Sequence, residues 1–274
     1  MTPTAPAAQP YADDILSGFS PAVERLRLQI ARIAPHFRVA LLTGEPGVGK
    51  QYIARQLHAA SPAATGPFSI LPATQFAHDS LPSTTGTIYL TGIQSLPPTS
   101  QPGLLKAIQS LDRDARVVIS SRSDLKVMVS AGRLRSDLYE AVGNLEIRIP
   151  ALRDRLADLD FLAAAMLRRR SVQATISPSA LERLQAYNWP GNIEELWKLC
   201  QNLPANTSVV TDHDLPPLIC AAPEPSASAR LEVVLQRHVA DVLQSCAGNK
   251  LRAAELLGIS RSTLYRMLST QTQA

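Results

Sequence analysis

The sequence predicts an α/β protein: a parallel sheet covered by helices, then a stretch of helices alone, then a small all-α domain at the C-terminal end. Three observations carry this. Short apolar runs alternate with amphipathic segments up to Ile149, the pattern of parallel strands joined by crossover helices and buried on both faces. After Pro150 the strand-like runs stop and only helical periodicity continues. The segment APEPSAS at 222–228 then reads as a linker by composition, with a compact helical pattern beyond it. The expected boundaries are 1–14 for a disordered tail, 15–157 for the α/β core, 158–221 for the helical part, 222–228 for the linker and 229–274 for the last domain.

Each element has its local reason. The opening MTPTAPAAQPYADD has neither a basic n-region nor an apolar h-region, so it reads as no secretory signal and a cytoplasmic location is expected. Ser20-Pro21 starts a helix, a cap followed by a first-turn proline, with Val23, Leu26, Ile30 and Ile33 along one face. A strand at 39–43 runs straight into GEPGVGK, and the helix after Lys50 buries Ile53, Ala54 and Leu57. Further strands are expected at 68–71, 87–91, 116–120 and 145–149, with helical patterns such as 103–111 between the later ones. In the second part, one helix covers 160–170 and another runs from Ser177-Pro178 to Tyr187. A third starts at a capping box of Asn192 and Glu195.

Composition narrows the function classes. Of 274 residues 45% are hydrophobic, enough for a sizeable core, yet no apolar run approaches the roughly 18 residues of a membrane span. Three widely spaced cysteines form no CxxC, and five histidines show no metal-ligand spacing, so reduced thiols and no metal site are expected. The net charge is only +4.

Two segments carry chemistry. In GEPGVGK, the residues Gly44, Glu45, Pro46, Gly47, Val48, Gly49 and Lys50 have the GxxxxGK spacing of a phosphate-binding loop. There, backbone N–H groups at a helix N-terminus cradle the anion and the lysine adds charge. The next residue is Gln51, where most such loops place a Ser or Thr on Mg²⁺. On the residues alone, this loop either binds and hydrolyses a nucleotide, binds one without turnover, or persists as scaffold.

In GNKLRAAELLGISRSTLYRML, 248–268, Asn249 can cap a helix ending at Gly258, and Ser260 caps a second. Ala254, Gly258 and Leu264 fall where a helix-turn-helix needs a small contact, a turn and a packing residue. Residues 249–268 carry a net +3, most of the charge of the chain. The preceding pattern, Leu231, Val234, Leu235, Val239, Val242 and Leu243, is wide enough to pack on the motif and on a second copy of itself. The plainer alternative is a helical hairpin with a solvated basic face. The segment closely resembles the Fis-type DNA-binding domain, which dimerises and reads DNA through its last helix. That resemblance implies that Ser260, Arg261, Ser262, Thr263, Tyr265 and Arg266 face the groove or its phosphates, with Lys250 and Arg252 on the DNA backbone.

The central landmarks come in one order: SGFSPAVERL, GEPGVGK, GPF at 66–68, GTIYLTGI at 86–93, GRLRSDLYEAV at 132–142, IRIPALRDR at 147–155 and YNWPGNIEEL at 187–196. Over roughly residues 15–220 they resemble the bacterial enhancer-binding proteins, AAA+ activators of the sigma-fifty-four polymerase. The resemblance implies an AAA+ parallel-sheet core with a helical lid. It also exposes departures. The family's Walker B strand ends in Asp-Glu, the Asp for the Mg²⁺ shell and the Glu for the attacking water; here Thr91-Gly92 stand there. Arg122 occupies the Asn sensor position. Of two arginines that act in trans, Arg135 is present but Ala141 replaces the other. Glu194 replaces the second sensor arginine. The loop that grips the sigma factor has no counterpart in the 17 residues between Phe68 and Gly86, and the hairpin before the first sensor is missing.

The expected function is therefore a DNA-binding transcriptional regulator. Its AAA+ module has no catalytic residues, needs no cofactor, does not hydrolyse ATP and does not remodel sigma-fifty-four polymerase. The alternatives are a regulator sensing ATP, ADP or a cyclic dinucleotide at 44–51, and an active ATPase activator. The expected partners are double-stranded DNA, a second copy bound through the C-terminal domain, and an intact AAA+ relative or RNA polymerase. No membrane is among them.

Overall fold

The fold is described from a computed structural model, in which the described residues are 15–16, 18–76, 81, 85–204 and 207–220. By its contacts the chain divides into two units, Met1–Ala221 and Ala222–Ala274. The linker, the helix-turn-helix and the apolar stripe at 231–243 lie outside the described residues, and every described element belongs to the first unit.

Five parallel strands form the main sheet: β1 (Val39–Thr43), β2 (Phe68–Pro72), β3 (Thr87–Thr91), β4 (Arg116–Ser121) and β5 (Glu146–Arg148), in the order β2-β3-β4-β1-β5. Side chains alternate between its two faces, as the period of two requires. Ala40, Leu42, Tyr89, Val118 and Ile147 point into one hydrophobic cluster, whereas Leu41, Ile88, Leu90, Val117 and Ile119 point into the other. Helices α1 (Pro21–Ile33) and α2 (Lys50–Ala59) cover the first face. Helices α3 (Gln101–Gln109), α4 (Leu125–Ser130) and α5 (Ser136–Gly143) cover the second. Beyond β5 come α6 (Leu159–Arg169), α7 (Pro178–Ala186), α8 (Asn192–Asn202) and the short α9 (Pro217–Cys220). They join the first cluster through Leu162, Met166, Leu184, Trp189, Ile193 and Leu196.

The strand order decides where a ligand can sit. From β1 the chain crosses to the edge strand β2 and returns through β3 and β4 to lie beside β1 again. The carboxyl ends of β1, β3 and β4 therefore share one sheet edge, at the point where the direction of crossover reverses.

Local expectations hold with instructive shifts. Ser20 caps α1, its Oγ accepting from the Val23 N–H at 3.3 Å. The cap is itself held by the fully buried Asp158. Asp158 Oδ1 accepts from the Phe19 and Ser20 N–H groups at 2.6 and 2.7 Å, and its Oδ2 accepts from the Ser20 hydroxyl at 2.6 Å. Strand β5 spans three residues instead of five, although its ladder continues, with the Leu41 N–H donating to Leu145 O and the Ile149 N–H to Thr43 O. Helix α3 starts at Gln101, two residues early. That side chain is buried and bridges Arg133 O and the Arg135 N–H at 2.8 and 3.0 Å. No hairpin lies between α3 and β4. A two-residue parallel pair, β6 (Thr175–Ile176) with β7 (Val209–Val210), was too short to read from sequence.

The capping box expected at Asn192 does not form, and this is a correction. Gly191 occupies the N-cap position without a side-chain bond. Glu195 does reach back, but to the Gly191 N–H at 2.7 Å and the Tyr187 hydroxyl at 2.8 Å. Asn192 adopts a left-handed φ of 54°, a region that Asn tolerates better than most residues. Its side chain is engaged elsewhere, on the loop after β1.

Candidate functional site

The loop between β1 and α2 is built by its glycines. Gly44, Gly47 and Gly49 have φ of 153°, 76° and 92°, values that an L side chain rarely adopts. Packing requires glycine as well. A Cβ on Gly47 would lie 2.0 Å from the Gly191 carbonyl oxygen, and one on Gly49 would lie 2.4 Å from Ile15 Cδ1. The expected site residues divide by role. Val48 is fully buried and anchors the loop. Pro46, Gly47, Gly49, Lys50 and Gln51 line an open cleft of about 430 Å³. Gly44 and Glu45 line a neighbouring one of about 330 Å³.

The lid grips this loop from above. Asn192, fully buried, accepts from the Leu152 N–H at 2.8 Å and donates to Pro46 O at 2.9 Å and to Glu45 Oε2 at 3.1 Å. Glu45 also takes a bidentate hydrogen-bonded pair from Arg153, with Nη1 2.8 Å from Oε2. The Glu194 N–H donates to Gly47 O at 3.3 Å. Arg153 and Asn192 are functional residues that sequence reasoning missed. Their only signal lay in the motifs ALRDR and WPGN, and neither motif names a partner.

Lys50 Nζ donates to Gly44 O and Glu45 O, both at 2.6 Å. Burial, then the nearby Arg122 charge, lower its pKa to about 8, partly offset by Glu45. Facing Lys50 across the larger cleft are the ends of β3 and β4: Tyr89, Thr91, Gly92, Gln94, Ser95, Ser120 and Arg122. Tyr89 is buried, which pushes its pKa up to about 12. Gly92 has a left-handed φ of 73°, and its N–H donates to Ser120 O at 3.0 Å. The acid that lines this cleft is Glu194, and its carboxylate accepts from Lys198 at 2.9 Å. Arg135 lies exposed outside the lining of either cleft, in a two-point pair with Asp137 at 3.0 and 2.6 Å. Ala141 packs against the second core cluster. No group of three or more His, Cys, Asp or Glu residues is placed to hold a metal ion among the described residues.

The geometry is that of a phosphate loop at the sheet edge, capped by a helical lid, and three family models match the chain in the same order. One described as the Sigma-54 interaction domain covers residues 17–152, one described as the AAA+ ATPase lid domain covers 153–231, and one described as Bacterial regulatory protein, Fis family, covers 231–269. The transcriptional regulatory protein ZraR of Salmonella typhimurium is 32% identical over 303 residues, spanning 92% of this chain and 68% of that protein. This chain is a bacterial enhancer-binding protein. Another relative of this enhancer-binding protein is the regulatory protein AtoC of Escherichia coli, 30% identical over 91% of this chain and 66% of its own. The solved structure of NtrX from Brucella abortus in complex with ATP superposes with a TM-score of 0.66 at 26% identity, covering 92% of this chain and 68% of that one. RuvB from Thermotoga maritima, at 13% identity and a TM-score of 0.53, shares the fold.

The family places this enhancer-binding protein among DNA-binding transcriptional regulators. Its expected DNA contacts, Lys250, Arg252, Ser260, Arg261, Ser262, Thr263, Tyr265 and Arg266, lie outside the described residues. No helix among the described residues is long and apolar enough to cross a membrane.

The lid clamp has a pH signature. The Arg153 hydrogen bond, opposed by burial and reinforced by Asn192, brings the Glu45 pKa down from 4.5 to about 2. A carboxylate depressed in the folded state stabilises fully above its unfolded value and loses that contribution as pH falls through the folded one. Stability measured by urea unfolding should therefore decline from pH 4.5 towards about 2, and Glu45→Gln should flatten part of that decline. The side chain is partly exposed, at 39%, so solvent screening keeps the effect modest. An unchanged profile in the variant would assign the acid sensitivity to other carboxylates.

Proposed function

We propose that this protein is a DNA-binding transcriptional regulator whose AAA+ module holds ATP or ADP on the loop at 44–51 without hydrolysing it. On this reading the module does not drive remodelling of sigma-fifty-four polymerase. The observation that carries the reading is the end of β3. It brings Thr91 and Gly92 into the cleft beside Lys50, and neither supplies a carboxylate to orient water or hold a metal shell. Glu194, the acid that does reach this cleft, is paired with Lys198. Phosphoryl transfer depends almost entirely on positioning and charge, and a trans arginine finger alone contributes on the order of 10³–10⁵ in rate; Ala141 stands at one of the two finger positions. Binding without turnover remains chemically sound. The loop amides and Lys50 are in place, and the relative from Brucella abortus was solved with ATP and with ADP. DNA is read by the C-terminal domain, and a second copy of the chain joins through the stripe at 231–243.

The backbone adds a barrier that a simple reversal does not remove. Gly92 sits at φ 73°, where a residue with a Cβ is strained by roughly 1–2 kcal/mol. Phosphate release by the purified protein should stay at the level of the buffer, with and without DNA. The double variant Thr91→Asp, Gly92→Glu should stay there too, because Arg122, Ala141 and Glu194 are unchanged. Steady ATP turnover that disappears in Lys50→Ala would overturn the proposal.

A further inference from the structure

The cleft between the loop and the ends of β3 and β4 carries a charge pattern that an ordinary magnesium–nucleotide complex does not suit. Magnesium dehydrates reluctantly and is held through one or two protein carboxylates together with substrate phosphates. The positions that would offer such ligands are Gln51, Thr91 and Gly92, and all three line the cleft. They supply neutral oxygens at most, so the residues present do not fit a magnesium ion.

In its place the wall opposite Lys50 carries Arg122. The backbone there is fixed by Gln94, whose Oε1 accepts from the Arg122 N–H and the Ser121 hydroxyl, each at 3.3 Å. The Ser121 hydroxyl, which has one proton to give, has a nearer acceptor in Ser123 O at 2.8 Å, so the two acceptors share a single donor. The Arg122 guanidinium itself makes no hydrogen bond or ion pair among the described residues. Two cations thus face one cleft, close enough for Arg122 to weaken the charge on Lys50. The acid lining this cleft, Glu194, is paired with Lys198, and the loop acid Glu45 with Arg153. Asp124 and Glu146, which line the neighbouring cleft with Arg122, accept from the Lys126 N–H and the Thr43 hydroxyl. A polyphosphate relieves this repulsion, whereas a divalent cation adds to it. Arginine also matches a phosphate geometrically, through paired N–H donors.

We propose that Arg122 takes the place of the divalent cation, so that the cleft binds a nucleoside di- or triphosphate as the metal-free anion. This rests on the reading of the loop as a nucleotide site and adds the ionic form of the ligand. It also gives the substitution at the sensor position a positive role: the arginine is a phosphate-binding residue.

The test is binding of ADP and of ATP to the full-length protein by calorimetry, once in excess EDTA and once in excess Mg²⁺. Affinity in EDTA should equal or exceed that in magnesium. Arg122→Asn should weaken binding in EDTA by about tenfold or more, and Arg122→Lys should restore part of the loss by returning the charge. Arg122 is exposed, so these variants should keep the unliganded melting temperature of the parent. Binding seen only with magnesium would overturn the role of Arg122 and leave the loop as a nucleotide site. Unchanged affinity of Arg122→Asn in EDTA would also overturn it. Absence of ADP and ATP binding in both solutions would overturn this proposal together with the nucleotide reading.

Discussion

Removing residues 222–274 should abolish sequence-specific DNA binding and leave the α/β core and lid folded. The first half follows from the Fis-family match at 231–269 and from the net +3 concentrated in residues 249–268. The second follows from the core, because Met1–Ala221 is a compact unit by its contacts and, among the described residues, both hydrophobic clusters lie inside it. The measurement is an anisotropy titration against duplexes selected by the full-length protein from a random library, repeated over a range of salt. Full-length binding should fall steeply with salt as several phosphates release their counterions. Point variants should divide by contact type. Arg261→Ala should relax preference at one base position at about 1–3 kcal/mol, whereas Lys250→Ala should weaken all sequences alike and lower the salt slope by about one. A truncated protein that still discriminated selected from random duplexes would show that DNA is read from the core. Selected sites should be inverted repeats with half-sites about 34 Å apart, as a two-fold dimer requires, and monomers at micromolar concentration by sedimentation would count against that.

Asn192→Ala should destabilise the chain by roughly 3–5 kcal/mol, a large share of the roughly 5–15 kcal/mol of a typical domain. The side chain makes three hydrogen bonds across the boundary between core and lid, each worth about 0.5–1.5 kcal/mol net and more where a charge takes part. Its loss strands the N–H of the fully buried Leu152, at about 1–3 kcal/mol for an unsatisfied donor. Alanine at φ 54° adds about 1–2 kcal/mol of backbone strain. The urea midpoint should drop with little change in slope if the unit unfolds as a whole. A lowered slope would mean that the lid separates before the core. Asn192→Asp keeps an acceptor for Leu152, loses the donor to Pro46 and sets a second negative charge against Glu45, so it should rescue little. A loss below about 1 kcal/mol in either variant would show that the loop holds its shape without the lid.

Strands 39–43 and 87–91 are legible to the residue, because a parallel strand buried on both faces must be apolar throughout, and turn-forming residues bound each run. The α1 cap is legible for a similarly local reason: Ser-Pro followed by a periodic apolar face has one good backbone solution. The phosphate loop is legible from glycine spacing, since the three positive φ values leave few other residues able to stand there. The missing acids at 91 and 92 are also visible in the sequence alone, because absence of a carboxylate needs no coordinates.

What spacing could not convey is contact across the chain. Arg153 meets Glu45 over 108 positions, Asn192 meets Pro46 over 146, and Asp158 holds Ser20 over 138. Each is a polar group satisfied only once the sheet and lid have closed, and no local preference specifies such a partner. Asn192 shows the difference most clearly. Its sequence context favours a helix cap, and the tertiary structure instead uses the same amide on the phosphate loop, because three partners, among them the buried Leu152 N–H, outweigh one helix-end N–H. The facing of Lys50 and Arg122 was equally undecided by sequence. It arises from the strand order β3-β4-β1, which brings the end of β4 beside the loop after β1, and only the folded sheet sets that order.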